Sequence, residues 1–369
     1  MCVAMDAPRI VEPKVTVVWQ ESSAGAMLNF WVSVGVVVGA LGVAWFPLQA
    51  CALAALVLIT ALAGFVPVER VTKFAATLAE TPMLTLDALF FAVTYIVPLC
   101  LVRKAVEQEG LPHLSSVLIS FCETFAIVGV CMSVCLHRYF SHQAFKTSRA
   151  FQVVLFITGC LAYQGDPLWW ASKHRRHHKH CDGPEDPHSW TQTNYMYAWI
   201  LWTLNPKERA TDEEFLGGLR KFPELRVLGY VWWLWPLLVN LAVKRWFGFY
   251  SMVVYAAMPM LMARIVTLVF NVEYHPPDGQ KSSLAGPPAD TNSKNGKRQH
   301  PCLSIDVARV LADCVGESCH DDHHTNPCRA KRPSGGFPHH DLPYVCVIKP
   351  LLWLGLIWLP TTGASPPIH

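Results

Sequence analysis

Charged side chains are scarce in this sequence. Only 15% of its 369 residues are Asp, Glu, Lys or Arg, whereas 52% are hydrophobic and the mean hydropathy is +0.27. A soluble domain carries roughly 25% charged residues, so the composition indicates an integral membrane protein. The net charge of +3 is too small to indicate nucleic-acid binding, and we expect no nucleic-acid partner.

The patterns of a secreted protein are also missing. Residues 1–22 lack the short apolar core and small-residue cleavage site of a signal peptide. The 13 cysteines form no CxxC pair, which argues against a structural zinc site and against a disulfide scaffold. We therefore expect reduced thiols that face the cytosol or lipid.

Long apolar runs are abundant instead. One helical crossing needs about 20 apolar residues, and lipid forces each crossing to be helical because it offers the backbone no hydrogen-bond partners. The six candidates are two stretches within Met27–Phe65, then Leu84–Val102, Ser115–Leu136, Val227–Val243 and Phe247–Phe270. We predict an all-α integral membrane protein with a cytosolic tail (1–26), an additional transmembrane hairpin (27–67) and a main domain (84–359).

The remaining segments complete this topology. Arg138–Arg226 is rich in Lys and Arg, which places it in the cytosol by the positive-inside tendency. Leu342–Leu359 carries Lys349 and Pro350 at its middle, so we expect it to lie at the interface or pack against protein rather than cross. Residues 276–301 are polar and rich in turn formers, which predicts a disordered insertion.

Nine of the 16 histidines form three clusters at the ends of the predicted spans. HRYFSH contains His137 and His142, HRRHHKH contains His174, His177, His178 and His180, HDDHH contains His320, His323 and His324, and His275 stands alone after the sixth span. Residues three or four apart share one helix face, as Asn271 and His275 do and as the later two clusters do. His137 and His142 are five apart, so they reach one metal only if the helix ends or bends between them.

The number of histidines predicts two metal ions. Imidazole binds iron, zinc, copper and nickel, which leaves the metal open, but nine histidines at helical spacing exceed what one ion uses. Carboxylates should orient the rings and offset the charge. The candidates are Asp186, Glu273, Glu317, Asp321 and Asp322. We interpret His180 and His188 as supporting or solvated side chains.

Each cluster alone has an ordinary explanation. HRRHHKH is also typical of a basic surface run on anionic lipid, HRYFSH can arise by chance, and HDDHH fits a zinc site or a solvated loop. Their joint occurrence beside the membrane favours one metal centre. A membrane metal transporter, the alternative from another class, would place its ligands inside the spans along a pathway.

Four segments together resemble the integral-membrane fatty acid desaturases of the acyl-CoA delta-9 type and their bacterial and plant relatives. They are HRYFSHQAFK (His137–Lys146), the stretch Gln164–Trp190, GESCHDDHHTNP (Gly316–Pro327) and DLPYVCVIKPLLWLGLIW from Asp341. The resemblance covers about Leu84–Leu359. It implies a mushroom-shaped fold with four core spans and a cytosolic helical cap that holds the histidine-rich di-metal site. In the third cluster, Asp321 and Asp322 replace the family's usual residues.

The resemblance also implies the site. Two iron ions (Fe²⁺) would be held by His137, His142, His174, His177, His178, His275, His320, His323 and His324, with Asn271 bound through water. The implied reaction introduces a cis double bond, at position 9, into a fatty acyl-CoA or acyl-lipid with O2 and two electrons. A hydroxylase on the same scaffold and a non-catalytic relative are the other possibilities.

The implied partners follow from this chemistry. The sequence has no cytochrome b5-like His-Pro-Gly-Gly stretch, so a separate cytochrome b5, or a ferredoxin in a plastid, would supply the electrons. We expect a multi-pass protein of the endoplasmic reticulum rather than of the plastid, because no clear transit peptide is present, with its metal site facing the cytosol.

Overall fold

The computed structural model describes residues 95–275, 277, 311–312, 314–317, 320–332 and 341–360. The chain divides into two compact units, Met1–Thr72 and Lys73–His369, and every described residue belongs to the second. The predicted tail (1–26) and hairpin (27–67) lie outside the described residues, as does the predicted insertion (276–301) apart from residue 277. The third candidate span is described only from residue 95.

The described part consists almost entirely of helices. They are α1 (Val97–Glu109), α2 (Leu114–Ala126), α3 (Ile127–Ser141), α4 (Arg149–Cys160), α5 (Pro167–His180), α6 (Tyr195–Trp199), α7 (Pro223–Tyr230), α8 (Leu234–Met252), α9 (Val253–Ala257), α10 (Met258–Glu273), α11 (His320–Thr325), α12 (Pro343–Ile348) and α13 (Lys349–Trp353). Short 3₁₀ turns occupy Leu201–Leu204, Pro206–Glu208, Glu213–Phe215 and Gly217–Lys221. The two strands are β1 (Lys146–Thr147) and β2 (Ile357–Trp358).

Two described helical stretches are long and apolar enough to cross a membrane. The first, Leu114–Ser141, joins α2 to α3 over 28 residues. Most of α2 is exposed or half-buried, with Leu118, Ile119 and Phe121 on its outside, whereas α3 is buried along nearly its whole length. One end of this stretch therefore presents an apolar surface while the other end, which carries His137, is enclosed by protein.

The second stretch, Leu234–Glu273, spans 40 residues and is broken at Gly248. This glycine has φ 89° and ψ 174°, and Asn240 Nδ2 lies 3.7 Å from Met260 Sδ. Twenty residues along a straight helix would separate these side chains by about 30 Å, so the chain reverses between them. The fifth predicted span thus begins at Leu234 instead of Val227, because α7 is a separate helix.

The closing segment returns to the first histidine cluster. Pro343–Trp353 is helical over a length too short to cross a bilayer. After it, β2 pairs antiparallel with β1, Lys146 opposite Trp358 and Thr147 opposite Ile357. Phe140, Phe145 and Phe156 are fully buried where α3 and α4 pack against this segment. The prediction of a segment that does not cross agrees with this arrangement.

Helix α5 begins at a strong cap and is fixed to the end of α3. Asp166 accepts hydrogen bonds from the Leu168 and Trp169 amides at 3.0 and 3.4 Å, and Pro167 takes the first helical position, as helix starts favour. The buried Arg175 guanidinium donates to the carbonyls of Phe140 and Ser141 at 2.7 and 2.6 Å, and also to those of Phe215 and Leu216. This one side chain fixes the position of the second histidine cluster relative to the first.

The reversal at Gly248 yields a stability prediction. Gly248→Ala should destabilise the protein by roughly 1–3 kcal/mol, because its backbone conformation is essentially restricted to glycine. A Cβ at Gly248 meets no atom within 4 Å, so the effect would come from the backbone alone. Thermal unfolding in detergent measures it. Gly218→Ala is the matched control, because that Cβ also enters open space but without a positive φ; equal melting temperatures for the two variants would contradict the prediction.

Candidate functional site

Five imidazoles converge at the end of α3. Their Nε2 atoms form a continuous row in which the successive separations are 3.0, 2.8, 3.0 and 2.9 Å. In order, the rings belong to His137, His323, His178, His174 and His142. Metal–imidazole bonds are about 2.1 Å long, so neighbouring ligands on one ion lie about 3 Å apart. The spacing of the five nitrogens is that of a ligand set.

The other four imidazoles form an adjoining group. His320 Nε2 lies 2.8 Å from His275 Nε2 and 3.0 Å from His324 Nε2. The His177 ring centroid lies 4.6 Å from that of His275 and 5.1 Å from that of His324. His178 and His324 stack at 4.2 Å, which places the two groups side by side. All nine predicted histidines are therefore together, divided five and four.

Helix geometry produces this convergence. On α5 and α11, the three-residue and four-residue steps bring histidines onto one face, as the spacing predicts. The five-residue step is accommodated differently, because α3 has π-type hydrogen bonding and the His142 amide donates to the His137 carbonyl at 3.1 Å. An i→i+5 bond sets residues five apart one turn apart. A wide turn of the helix therefore brings His137 and His142 together. The sequence had predicted that the helix would have to end or bend between them.

Burial favours the neutral form of four of these rings. It lowers the pKa values of His142, His174, His178 and His323 well below the ordinary histidine value, and the positive charge of neighbouring groups lowers them further. A neutral imidazole with an outward Nδ1–H presents the Nε2 lone pair. Several such lone pairs at 3 Å repel one another unless a cation lies between them. The donor set therefore fits metal ions.

Two of the predicted carboxylates orient rings. Glu317 Oε1 lies 2.9 Å from His137 Nδ1, and the Ser133 hydroxyl donates to the same oxygen at 2.7 Å. Asp186 Oδ2 lies 2.9 Å from His177 Nδ1. Burial alone would raise the Asp186 pKa, but the charges of His177 and His188 outweigh burial and hold it well below its ordinary value. Each carboxylate keeps a proton on Nδ1 and aims Nε2 at the centre.

The other predicted supporting residues have different surroundings. Glu273 accepts a hydrogen bond from Tyr195 Oη at 3.0 Å, and Asp322 accepts from Asn326 Nδ2 and Arg329 Nη1 at 3.1 and 2.9 Å. The Asp321 side chain lies outside the described residues. Asn271 lines the cavity beside the four-histidine group, where its predicted role places it.

Sequence reasoning missed two neighbours of His275. Cys181 Sγ and Asp182 Oδ2 lie 3.6 and 3.5 Å from His275 Nδ1. Both residues directly follow the second cluster, which was the available signal. His188 is buried with its ring 4.4 Å from that of His177. His180 lies 3.1 Å from the exposed Glu185.

A row of cavities leads to the histidines. The largest, about 540 Å³, is lined by aromatic, aliphatic and charged side chains, Arg226 and Arg264 among them. It shares Gln164 and Trp169 with a narrow cavity of about 20 Å³. The narrow cavity in turn shares Asn271 with one of about 40 Å³ at the metal-ligand candidates. The three cavities therefore adjoin one another between Arg226 and the histidines.

Asp166 is half-buried in the wall of the largest of these cavities. Burial raises its pKa to about 6, although the Leu168 and Trp169 amides and the Arg226 charge act in the opposite direction. A carboxyl with a raised pKa binds more protons in the folded state than in the unfolded state between its two pKa values. The contribution of Asp166 to folding stability therefore falls as the pH rises from about 4 to about 6.

This pKa shift predicts that Asp166→Asn gains stability relative to the wild type as the pH rises. Asn preserves a favourable cap and carries no charge, so below pH 4 the advantage should be absent. Above pH 6 it should reach at most about 3 kcal/mol, since each pKa unit corresponds to about 1.4 kcal/mol. Melting temperatures from pH 4 to 8 measure it. Glu214→Gln, at an exposed position, is the control, and parallel profiles for all three proteins would refute the assignment.

Sequence comparison with known proteins identifies relatives of this chain. The sequence model of the family described as "Fatty acid desaturase" matches residues 114–354. A probable chloroplastic lipid desaturase of Arabidopsis thaliana is 39% identical over 104 residues, which cover 28% of this chain and 29% of the relative. A hex-5-enoyl-[acyl-carrier protein] acetylenase of Moorena producens is 52% identical over 65 residues, 18% of this chain and 20% of the relative.

A third relative is an acyl-CoA C20 delta-5 desaturase of Anemone leveillei, 34% identical over 116 residues that cover 30% of this chain and 37% of the relative. The matched segments thus span well under half of each relative. The family match itself is much longer and contains α2 to α13. It includes all nine converging histidines. This chain belongs to the fatty acid desaturase family.

Proposed function

We propose that this protein is an O2-dependent fatty acyl desaturase that introduces a cis double bond at position 9 of a saturated acyl chain. The observation that carries the proposal is the convergence of nine imidazoles in adjoining groups of five and four, next to a row of cavities. Family membership supports the reaction class. Position 9 rests on the resemblance of the histidine segments to delta-9 enzymes, and the relatives include one named for position 5.

The nine histidines are the proposed ligands of two iron ions. His137, His142, His174, His178 and His323 would hold one ion, and His177, His275, His320 and His324 the other, with Asn271 reaching the second through water. Bound iron would supply, with O2 and two electrons, the oxidising power that acid–base side chains lack. The reaction balances when O2, two electrons, two protons and the two hydrogens removed from adjacent methylenes together become two waters.

The protein's own residues would position the acyl chain. Trp170 stacks on the His174 ring at 4.8 Å, and its Nε1 donates to Gln164 Oε1 at 2.8 Å. The indole is thereby fixed between the narrow cavity and the histidines. An acyl chain in the cavity row would pass this wall with its methylenes held against the metals, and the apolar lining would exclude water from the reacting carbons. Either an acyl-CoA or an acyl-lipid could present its chain here.

The proposed membrane arrangement has four core spans in a desaturase domain of residues 84–359, with the 27–67 hairpin as an addition. The described apolar helices Leu114–Ser141 and Leu234–Glu273 support it. The cationic stretch between them supports a cytosolic position for the metal centre. An endoplasmic reticulum location with a separate cytochrome b5 as donor fits this side, whereas a plastid location would imply a ferredoxin.

A hydroxylase or related oxygenase is the second candidate. It would use the same ligands and differ only in the fate of the second hydrogen, and the acetylenase relative carries a name for a different acyl product. The metal transporter alternative has less support. The nine imidazoles lie together where α3, α5, α10 and α11 meet, instead of being strung along a span.

Product analysis in yeast that lacks its own delta-9 desaturase tests the proposal. Expression of this chain should produce a new monounsaturated fatty acid methyl ester, and its double-bond position gives the regiochemistry. The double variant His323→Ala, His324→Ala should lose the peak, since it removes one ligand from each group. His180→Ala is the matched control, because this histidine belongs to the same sequence cluster as His178 but faces Glu185, and it should retain the peak.

Two other outcomes would change the conclusion. A hydroxylated chain in place of an unsaturated one would establish the oxygenase. If the purified protein contains iron and receives acyl-CoA and acyl-lipid with both cytochrome b5 and ferredoxin, yet forms no product, desaturation is excluded.

A further inference from the structure

Arg138 is a fully buried arginine that directly follows a proposed ligand. Its neighbour His137 points into the five-histidine group, whereas Arg138 lies on another face of α3. The guanidinium forms a bidentate pair with Asp341, Nη1 to Oδ2 at 2.9 Å and Nη2 to Oδ1 at 2.8 Å. Bidentate arginine–carboxylate pairs fix orientation as well as distance. This pair joins the first histidine cluster to the closing segment.

The same guanidinium holds both flanks of the third histidine cluster. On the far side of the cluster, Nη1 donates to the Ala330 carbonyl at 2.8 Å. On the near side, Nη2 lies 3.5 Å from the Val315 carbonyl, to which the Ser133 hydroxyl also donates at 3.1 Å. His320, His323 and His324 all lie between these two flanking residues. Arg138 therefore sits at the base of the loop that presents them.

Gly316 is adapted to this guanidinium. It has φ +73°, and a Cβ there would lie 2.2 Å from Arg138 Nη2 and 2.8 Å from Asp341 Oδ1. Only glycine permits both the backbone angle and the close approach. The next residue is Glu317, whose carboxylate lies against His137 Nδ1. The close contact between the Arg138 guanidinium and Gly316 therefore also fixes the position of Glu317.

Asp341 secures the other end of the loop. Its Oδ2 accepts from the Arg332 amide at 2.8 Å, and its Oδ1 from the Tyr344 amide at 3.1 Å. Both oxygens are thus shared between Arg138 and backbone donors. Asp341 is almost fully buried, so it depends on these partners for its charge. The ion pair fixes the chain immediately after the third cluster and the start of α12 at once.

We propose that the Arg138–Asp341 ion pair is the positioning element that holds the third histidine cluster on the metal centre. The inference rests on the ligands assigned under the proposed function. The third cluster gives one of five ligands to the first ion but two of four to the second. Loosening the loop should therefore weaken the second ion's site more than the first.

Arg138→Lys tests the proposal in the purified full-length protein. Lysine keeps the charge but cannot make a bidentate contact and reach both carbonyls. Titration with Co²⁺, followed by its visible absorption, should show two ions bound by the wild type. In the variant, the affinity for the second ion, held by the four-histidine group, should fall roughly 10- to 100-fold. This is the range for lost supporting contacts at metal sites. Unchanged far-ultraviolet circular dichroism would show that the helices persist.

Arg149→Lys is the matched control. Arg149 makes an equally bidentate contact, with Glu224 at 2.6 and 2.7 Å, but on the exposed surface. Its substitution should leave both Co²⁺ affinities unchanged. Hydrogen exchange of the metal-free protein supplies a readout independent of any ion, and in Arg138→Lys the amides of residues 320–332 should exchange faster than in the control.

Gly316→Ala provides a second route if Arg138→Lys fails to fold. It leaves both charges in place but displaces the guanidinium, so the same loss of the second ion is expected. Unchanged Co²⁺ affinities and unchanged exchange in a folded variant would overturn the proposal. If the wild type binds no Co²⁺ while exchange still rises in the variant, the ion pair holds the loop as argued and the ligand assignment of the proposed function fails instead.

Discussion

The arrangement of this protein depends on bringing nine imidazoles together where water is largely excluded. Ring nitrogens about 3 Å apart present converging lone pairs, which is unfavourable without a cation and strongly favourable with one. The chain stabilises the arrangement from behind, through Glu317 on His137 and Asp186 on His177. Beyond these, buried arginines hold the backbone that carries the rings.

Two arginines divide this supporting role. Arg175 projects from α5 and binds four carbonyls, among them the last two of α3. Arg138 projects from α3 and contacts the chain on both sides of the third cluster. Each side chain crosses from one histidine-bearing element to another. The three clusters, distant in sequence, are thus linked by guanidinium groups rather than by direct helix–helix packing alone.

Sequence reasoning selected the histidines that the structure brings together, because most of them follow local periodicity. The steps of three and four on α5 and α11 put histidines on one face regardless of the rest of the fold. The π-type geometry of α3 was not predictable, since it depends on the packing of the whole helix, and it determines whether His137 and His142 meet.

The supporting carboxylates were found only where they adjoin a cluster; nothing local distinguishes Glu317, which binds His137, from Glu273, which binds Tyr195. The span prediction missed the separate helix α7 because an apolar run does not show where one helix ends and the next begins.

The sequence distance between contacting groups bears on how the protein is made. His137 meets Glu317 180 positions later, and Arg138 meets Asp341 203 positions later. During synthesis, the first two histidine clusters emerge long before the third, and neither group is complete until His324 has left the ribosome. Contacts of such long range form late, after the apolar helices have been placed. A truncated chain would therefore carry the apolar helices without a complete set of metal ligands.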